Sequence, residues 1–545
     1  MTILQRFLLL YTLIFINTHS FANDWDILFD HSQYQNAKIS PDGKYLAVQA
    51  IHESKSILLF FDRVTMTAVG SLNMGGSYEV GAYSWVNNER VVTKIVKREP
   101  WLESPQFYGE LFAVNFDGTK RKLIYGYQSG EMQTGSAIKR QKSILGWGDI
   151  IDTLPEDRKH ILISSTPQSS TGEKLASALL LNVYTGIVKK KVLKSPISFA
   201  TFITDTNGAI KAVMGTNREN KTKVYLRKER QWEEVAENIM GDSVRLISIN
   251  KSGKYLYTLD NKNQDITGLF KLNLEDYSYT EVYTDKSVDI TDIELTTDKR
   301  SAFALRIDDG YPAYLMLNKK VDEATIFKSL LSTFPFSSIN ITSRTDNGQF
   351  YIFYVSSDVD PGSLYIFDKK KQTISMLFKF KADINQNELI KTKPIQINAN
   401  DGTKINGYFT QAKSKDADKL APVVVLVHGG PHGARDYWGY SSQKQYLALN
   451  GYSVLQINYR GSSGYGQNFA TSGHYTWGTL IQQDIYDTYQ WLIQQSKASP
   501  NNACIMGASF GAYSAIQSAT LYPDTYKCAI ANAGIYDLEL MFEEG

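Results

Sequence analysis

A polar turn leading through a charged residue into an apolar run recurs seven times between positions 42 and 347, and no other feature constrains the fold as much. The clearest copies read Ser-Pro-Asp-Gly-Lys-Tyr-Leu-Ala at 40–47 and Asn-Lys-Ser-Gly-Lys-Tyr-Leu-Tyr at 250–257. Weaker copies centre on Asn88, Asp157, Asn207, Asp298 and Asn347, so successive turns lie mostly 45 to 50 residues apart. A four-stranded propeller blade takes roughly 40 to 50 residues and cannot bury both its faces alone, so blades must stack around an axis until the ring closes. Seven such units predict an all-β, seven-bladed β-propeller over 23–385. Thirty-four Tyr, 25 Phe and 8 Trp against 14 Pro favour strands in the same direction. Helical periodicity is almost absent from 24 to 383. The long interval from 88 to 157 implies an insertion or an unrecognised strand. The lysine runs at 189–191 and 369–371 read as solvated hairpin turns.

The 58 basic and 56 acidic residues leave a net charge of +2, which gives no reason to expect nucleic acid or an acidic membrane as partner. Two cysteines are too few for a disulfide scaffold or a cysteine-built zinc module. The N-terminus reads as an address. Arg6 precedes an apolar core at 7–16, and Ser20 and Ala22 place small residues where a signal peptidase reads. That core is short of the roughly 20 residues needed to span a bilayer. A signal peptide over 1–22 is therefore expected, with an uncleaved anchor as the alternative, and export to a bacterial periplasm follows.

After Asp383 the period changes. A hairpin turns at Asn400-Asp401-Gly402, and the run Val-Val-Val-Leu-Val within 422–427 has the all-apolar character of a strand buried on both faces. Strands at 452–458, 503–506 and 528–531 alternate with helices at 446–449, 480–495 and 511–521. The central helix is expected to bury Leu480, Ile485, Tyr489, Leu492 and Ile493. Such alternation predicts a mainly parallel sheet flanked by helices over 386–545, an α/β-hydrolase unit. Cys504 and Cys528 fall on two of these strands, and two buried thiols are expected, because strand cysteines rarely meet disulfide geometry.

Gly507-Ala508-Ser509-Phe510-Gly511 lies between a strand and a helix, the setting in which Gly-x-Ser-x-Gly forms a nucleophile elbow. Ser509 would project its hydroxyl from the sheet, Gly507 and Gly511 would allow close packing, and the Phe510 N–H at the helix start would face a developing oxyanion. His428-Gly429-Gly430-Pro431 follows the apolar strand, where a second oxyanion donor belongs in this fold. His428 and Gly429 are expected to support that loop. A general base should follow the nucleophile in chain order, which speaks against His428 in that role. His428 and His432 are four apart, but the intervening Gly-Gly-Pro forbids the helix that would align them on a metal. No cofactor or metal site is read. Gly461-Ser-Ser-Gly-Tyr-Gly466 matches no nucleotide loop and reads as a turn-rich segment beside the site.

Together, His428-Gly-Gly-Pro, Asn458-Tyr-Arg-Gly-Ser-Ser-Gly-Tyr-Gly466 and Gly507-Ala-Ser-Phe-Gly-Ala-Tyr513 resemble the prolyl oligopeptidase family of serine peptidases, nearest its acylaminoacyl-peptidase and dipeptidyl-peptidase-like branch. The resemblance implies a propeller capping a hydrolase, Ser509 as nucleophile, and the N–H groups of Phe510 and Gly430 as oxyanion donors. Ala512 stands where the family commonly has glycine. The family's acid and histidine follow the nucleophile, yet His19, His31, His52, His160, His428, His432 and His474 all precede Ser509. The hydrolase is therefore expected to be incomplete at its C-terminus and the chain inactive as it stands. The function expected of the whole protein is hydrolysis of short peptides through an acyl-enzyme, with the propeller gating substrate size. An esterase or thioesterase of the same fold, or a non-catalytic propeller binding protein, are the alternatives.

Overall fold

All seven recurring turns join the first and second strands of a sheet, and the chemistry repeats with the position. An Asp or Asn side chain accepts a backbone N–H two residues on: Asp42 from Lys44, Asn87 from Glu89, Asp157 from Lys159, Asp205 from Asn207, Asp298 from Arg300 and Asn347 from Gln349, at 2.9 to 3.2 Å. Asn250 instead accepts from Lys254, four residues on, at 3.0 Å. These side chains pre-fold the hairpin that starts each blade.

The computed structural model describes residues 25–544 apart from 103, 131–140, 170, 172 and 414–418, so the expected signal peptide lies outside the described residues. Seven antiparallel blades occupy 34–72, 78–125, 146–194, 198–234, 245–283, 292–316 and 338–379. The long interval between the second and third turns holds no extra strand among the described residues; the additional chain lies in the connections at 98–105 and 126–145. Lys189–Lys191 sit inside the exposed outer strand Val188–Lys194, so that run is edge strand and not the expected turn. The run at 369–371 does form a turn.

The sixth blade has three strands, and helix α1 (Asp322–Thr333) follows them where other blades have a fourth. Ala324, Phe327 and Leu330 point inward against Phe303, Tyr351 and Phe353. Glu323 bonds Arg344 of the next blade at 2.7 Å and the Thr297 hydroxyl at 3.0 Å. The ring closes by packing between complete blades. Ala37, Ile39, Leu46 and Val48 of the first meet Ile352 and Leu364 of the last, and the Ile39 N–H donates to Ser343 Oγ at 3.0 Å.

The second unit is a six-stranded sheet of β1 (Thr392–Asn398), β2 (Lys404–Thr410), β3 (Val423–Val427), β4 (Ser453–Asn458), β5 (Ala503–Ala508) and β6 (Tyr526–Asn532), in the order β1-β2-β4-β3-β5-β6. β1, β2 and β4 pair antiparallel, and from β4 to β6 the sheet is parallel. Helices α2 (Ser442–Leu449), α3 (Gln467–Ser472), α4 (Leu480–Gln494), α5 (Phe510–Leu521) and α6 (Leu538–Glu544) connect or follow the strands. Val423, Val425, Leu455 and Ile505 form the sheet's core against Ile481, Ile485, Tyr489 and Leu492 of α4. Leu480 is 42% exposed, and Ile481, one helical turn before Ile485, is buried in its place.

Cys504 and Cys528 form a disulfide, contrary to the expected thiols. They sit directly opposite in the parallel pair β5–β6, with Cα atoms 4.7 Å apart, inside the distance range that a disulfide bridges.

The glycine-rich loop at 461–466 docks on the propeller. The Asp289 N–H donates to the Gly464 carbonyl at 3.0 Å, and Asp265 accepts the Asn468 N–H at 2.6 Å. A Cβ on Gly466 would lie 2.5 Å from the Asp265 carboxylate, so this contact requires glycine.

Candidate active site

Ser509 sits between β5 and α5 with φ 54° and ψ −122°, a conformation that L-residues rarely adopt. Two glycines make that turn possible. A Cβ at Gly507 would fall 2.4 Å from the Gly511 carbonyl, and one at Gly511 would fall 2.2 Å from the Val427 oxygen. The turn thus presses the start of α5 against the end of β5 and against β3, and it leaves the Ser509 side chain exposed. Phe510 is the first residue of α5, so its N–H has no acceptor one helical turn earlier. Its ring is buried against Tyr459 and Trp477, at centroid distances of 5.7 and 5.3 Å.

The loop after β3 passes beside the serine. A Cβ on Gly429 would lie 3.5 Å from Ser509 Cβ and 3.3 Å from the Ala508 oxygen. Gly430 has φ 126°, which a side chain would strain. His428 Nδ1 lies 2.7 Å from the Gly429 carbonyl, so this nitrogen carries the proton and donates it. Its Nε2 faces Ser462 Oγ at 3.0 Å, and the imidazole stacks on Tyr459 at 4.3 Å. Burial lowers the His428 pKa, which keeps the ring neutral. The structure therefore engages both His428 nitrogens away from Ser509. His432 accepts a hydrogen bond from Trp477 Nε1 at 3.2 Å and packs edge-on to His474 at 4.6 Å. Among the described residues no side chain hydrogen-bonds the Ser509 hydroxyl.

Residues of the 458–466 motif carry structural roles that the sequence left unassigned. Asn458 Oδ1 accepts the Asp436 N–H at 2.7 Å, and its Nδ2 donates to the Asp436 carbonyl at 3.0 Å, which clamps the loop beyond Gly430. The Tyr459 hydroxyl donates to the His428 carbonyl at 2.9 Å and lies 3.4 Å from the Gly429 carbonyl. Arg460 forms a two-pronged pair with buried Asp484 at 2.8 and 2.6 Å and reaches Asp401 at 3.0 Å. Nothing local in the sequence marks these partners, because Asp484 and Asp401 come from other elements.

Two cavities meet at the segment Trp438-Gly439-Tyr440. One, of about 430 Å³, is bounded by Gly429, Gly507 and Ala508 beside the elbow. The other, of about 600 Å³, lies between that segment and the first, sixth and seventh blades. The shared segment is pinned: Trp438 Nε1 donates to the Thr392 carbonyl at 3.1 Å, and Lys444 Nζ to the Gly439 carbonyl at 2.7 Å. Burial lowers the Lys444 pKa to about 8.

The sequence profile of the prolyl oligopeptidase family matches residues 438–544. Dipeptidyl aminopeptidase BIII of Pseudoxanthomonas mexicana is 23% identical over 527 residues, which cover 95% of this chain and 72% of that protein. Dipeptidyl peptidase family member 6 of Caenorhabditis elegans is 26% identical over 310 residues, 53% of this chain and 41% of that one. Among solved structures, a puromycin-hydrolyzing peptidase of Mycobacterium tuberculosis superposes with a TM-score of 0.66 at 15% identity, covering 96% of this chain and 80% of its own, a likeness of fold. A propeller and a hydrolase sheet thus stand in one chain whose residues 438–544 match the prolyl oligopeptidase family.

Proposed function

We propose that the protein is a serine peptidase that hydrolyses short peptides through an acyl-enzyme on Ser509. The observation that carries this reading is the strained, exposed Ser509 beside Gly429, next to a cavity whose segment 438–440 also borders a second cavity lined by the propeller. Backbone strain of this kind costs about 1–3 kcal/mol, an expense without return in a protein that only binds. A cavity lined by both domains also favours peptides over small esters, which need no size filter.

In the proposed reaction Ser509 Oγ attacks the scissile carbonyl while its proton passes to a base, and the oxyanion forms against the N–H groups of Phe510 and Gly430. The C–N bond breaks, the amine leaves with that proton, and water hydrolyses the ester to regenerate the serine. This chemistry needs a base and an orienting acid at Ser509. The described residues bring neither there, so the 545-residue chain alone is expected to be inactive. The proposed location is the periplasm; the Cys504–Cys528 disulfide supports an oxidising compartment.

Fluorophosphonate labelling of the protein expressed from its complete gene tests the reading. Modification at Ser509, abolished by Ser509→Ala, is expected together with turnover of short peptide anilides. A folded sample that does not label, or that turns over nitrophenyl esters alone, would overturn it.

A further inference from the structure

Arg435 follows Gly430 on the loop after β3 and is 9% exposed. Its Nη2 donates to the Asp308 carbonyl of the sixth blade at 3.2 Å and to the Tyr465 hydroxyl at 2.7 Å, and its Nε donates to the Asp436 carbonyl at 3.3 Å. The guanidinium also lies over the rings of Tyr437 and Tyr465, at 4.5 and 4.2 Å from their centroids. A Cβ on Gly464 would fall 2.4 Å from Nη1, so the 461–466 loop presses on the same group. Its hydrogen bonds go to two carbonyls and a phenol, and among the described residues no carboxylate pairs with it. A buried charge held in this way is costly beside an apolar side chain of similar size, so packing alone gives no reason for an arginine here.

Arg435 fixes the loop that carries Gly430. That loop folds back on itself: a Cβ on Gly430 would lie 3.1 Å from the His432 nitrogen and 3.3 Å from Ala434 Cβ, so Gly430 packs on the residue before Arg435. The Ala434 carbonyl accepts the Ser463 N–H, and the Gly433 carbonyl accepts the Ser463 hydroxyl, both at 3.1 Å. The Tyr465 hydroxyl that receives Arg435 also receives Asn458 Nδ2 at 2.8 Å, and Asn458 clamps Asp436. On the propeller side the Asp308 carboxylate is already taken by Arg306 Nε and by the Thr291 hydroxyl. Arg435 therefore senses where the backbone turn at 308–310 lies, not a charge upon it. That turn is seated on the hydrolase sheet, because a Cβ on Gly310 would fall 2.9 Å from Pro394 of β1.

We infer that Arg435 is a positioning residue for the Gly430 N–H, which it aims by holding the oxyanion loop to the seated turn of the sixth blade. Attack by Ser509 places a negative charge on the carbonyl oxygen, and a donor is worth most when its direction is set before that charge forms. A loop released from Arg435 would present the Gly430 N–H over a wider range of directions. The inference rests on the acyl-enzyme reading above and adds a residue that acts through Gly430 without touching the substrate.

The test uses the protein expressed from its complete gene, a short peptide anilide and two inhibitors of the same peptide sequence. One inhibitor ends in an aldehyde, to whose carbon Ser509 Oγ adds so that the aldehyde oxygen becomes the oxyanion. The other ends in an alcohol and forms none. Arg435→Met keeps the apolar stem and removes the guanidinium. It is expected to lower kcat about tenfold, less than the loss of a whole donor, with KM within about twofold of the parent. The aldehyde should bind about tenfold more weakly and the alcohol as before, because only the aldehyde uses the oxyanion hole. Gly310→Val, whose side chain meets Pro394 and displaces the turn, is expected to give the same split from the propeller side. Tyr465→Phe should give it in smaller measure, and decides the matter if Arg435→Met does not fold. A merely structural role would weaken aldehyde and alcohol alike. That result in variants with native circular dichroism, or an unchanged kcat, overturns the inference and leaves the peptide reading standing. A parent protein that does not turn over the anilide overturns both.

Discussion

A planar peptide couples its two ends, so whatever holds the Gly429 carbonyl also aims the Gly430 N–H. Here that carbonyl receives the His428 Nδ1–H at 2.7 Å, and the Tyr459 hydroxyl sits beside both. Burial raises the Tyr459 pKa, so it stays a phenol and a donor. Removing a whole oxyanion donor costs roughly 10²–10³ in kcat. Loosening the proposed Gly430 donor costs less, and if the proposed activity holds, Tyr459→Phe is expected to lower kcat about tenfold with KM little changed. An unchanged kcat would mean that His428 alone fixes the peptide. Glu294 of the sixth blade gives a second expectation at this scale. Burial first, and Asp292 second, push its folded pKa up to about 8, above the unfolded value of about 4.3. Between those values the folded state keeps a proton that the unfolded state has released, so stability falls as pH rises through the window. Glu294→Gln removes that penalty. Its melting temperature should match the parent near pH 4 and exceed it by a few degrees above pH 8; a gain that is independent of pH would contradict the assignment.

At the scale of elements, β5 and β6 are joined both by their ladder and by the Cys504–Cys528 bond, which closes a loop with a sequence separation of 24. A loop of that length is worth about 3 kcal/mol of chain entropy. Cys504→Ser with Cys528→Ser should lower the melting temperature of the hydrolase unit and leave that of the propeller unchanged; equal shifts in both would refute the partition. This pairing was not legible in the sequence, because register between strands separated by a helix is set by tertiary packing, not by local pattern. The blades were legible for the opposite reason. Asp42, Asp157 and Asp298 each accept an N–H two residues away, and chemistry that closes within two residues leaves its mark in the sequence. Helix α1 lay between these cases. Ala324, Phe327 and Leu330 do carry a helical spacing, but three turns inside a run of hairpins are easily read as another strand. The elbow was legible because Gly507 and Gly511 are each required by a clash that any Cβ would create.

The whole molecule is held together by contacts that cross hundreds of residues, and so none of its docking could be read from local pattern. The segment before the first blade shows how this works. Leu28 is buried with Ile384 and Leu389 of the connection between the two units, against Leu449 of α2. The Leu28 carbonyl accepts from Lys381 Nζ and from Ser442 Oγ, and Phe29 meets the ring of Tyr446 edge-on at 5.4 Å. The N-terminal residues thus strap the first blade, the connection and α2 to one another. Next to this cluster Gln445 Nε2 donates to the Asp358 carbonyl at 3.0 Å, and Asp358 accepts the Thr392 N–H at 2.6 Å. Each blade is folded from its own stretch of chain, so the ring does not need the strap. A variant lacking residues 25–33 should therefore keep the propeller's melting transition. Its amide hydrogens across 438–449, the segment that separates the two cavities and leads into α2, should exchange at least tenfold faster by mass spectrometry, because the burial and hydrogen bonds at Leu28 are lost. Unchanged exchange there would show that the Asp358 contacts alone suffice to seat α2. A lost propeller transition would show that the strap belongs to the ring and not to the joint.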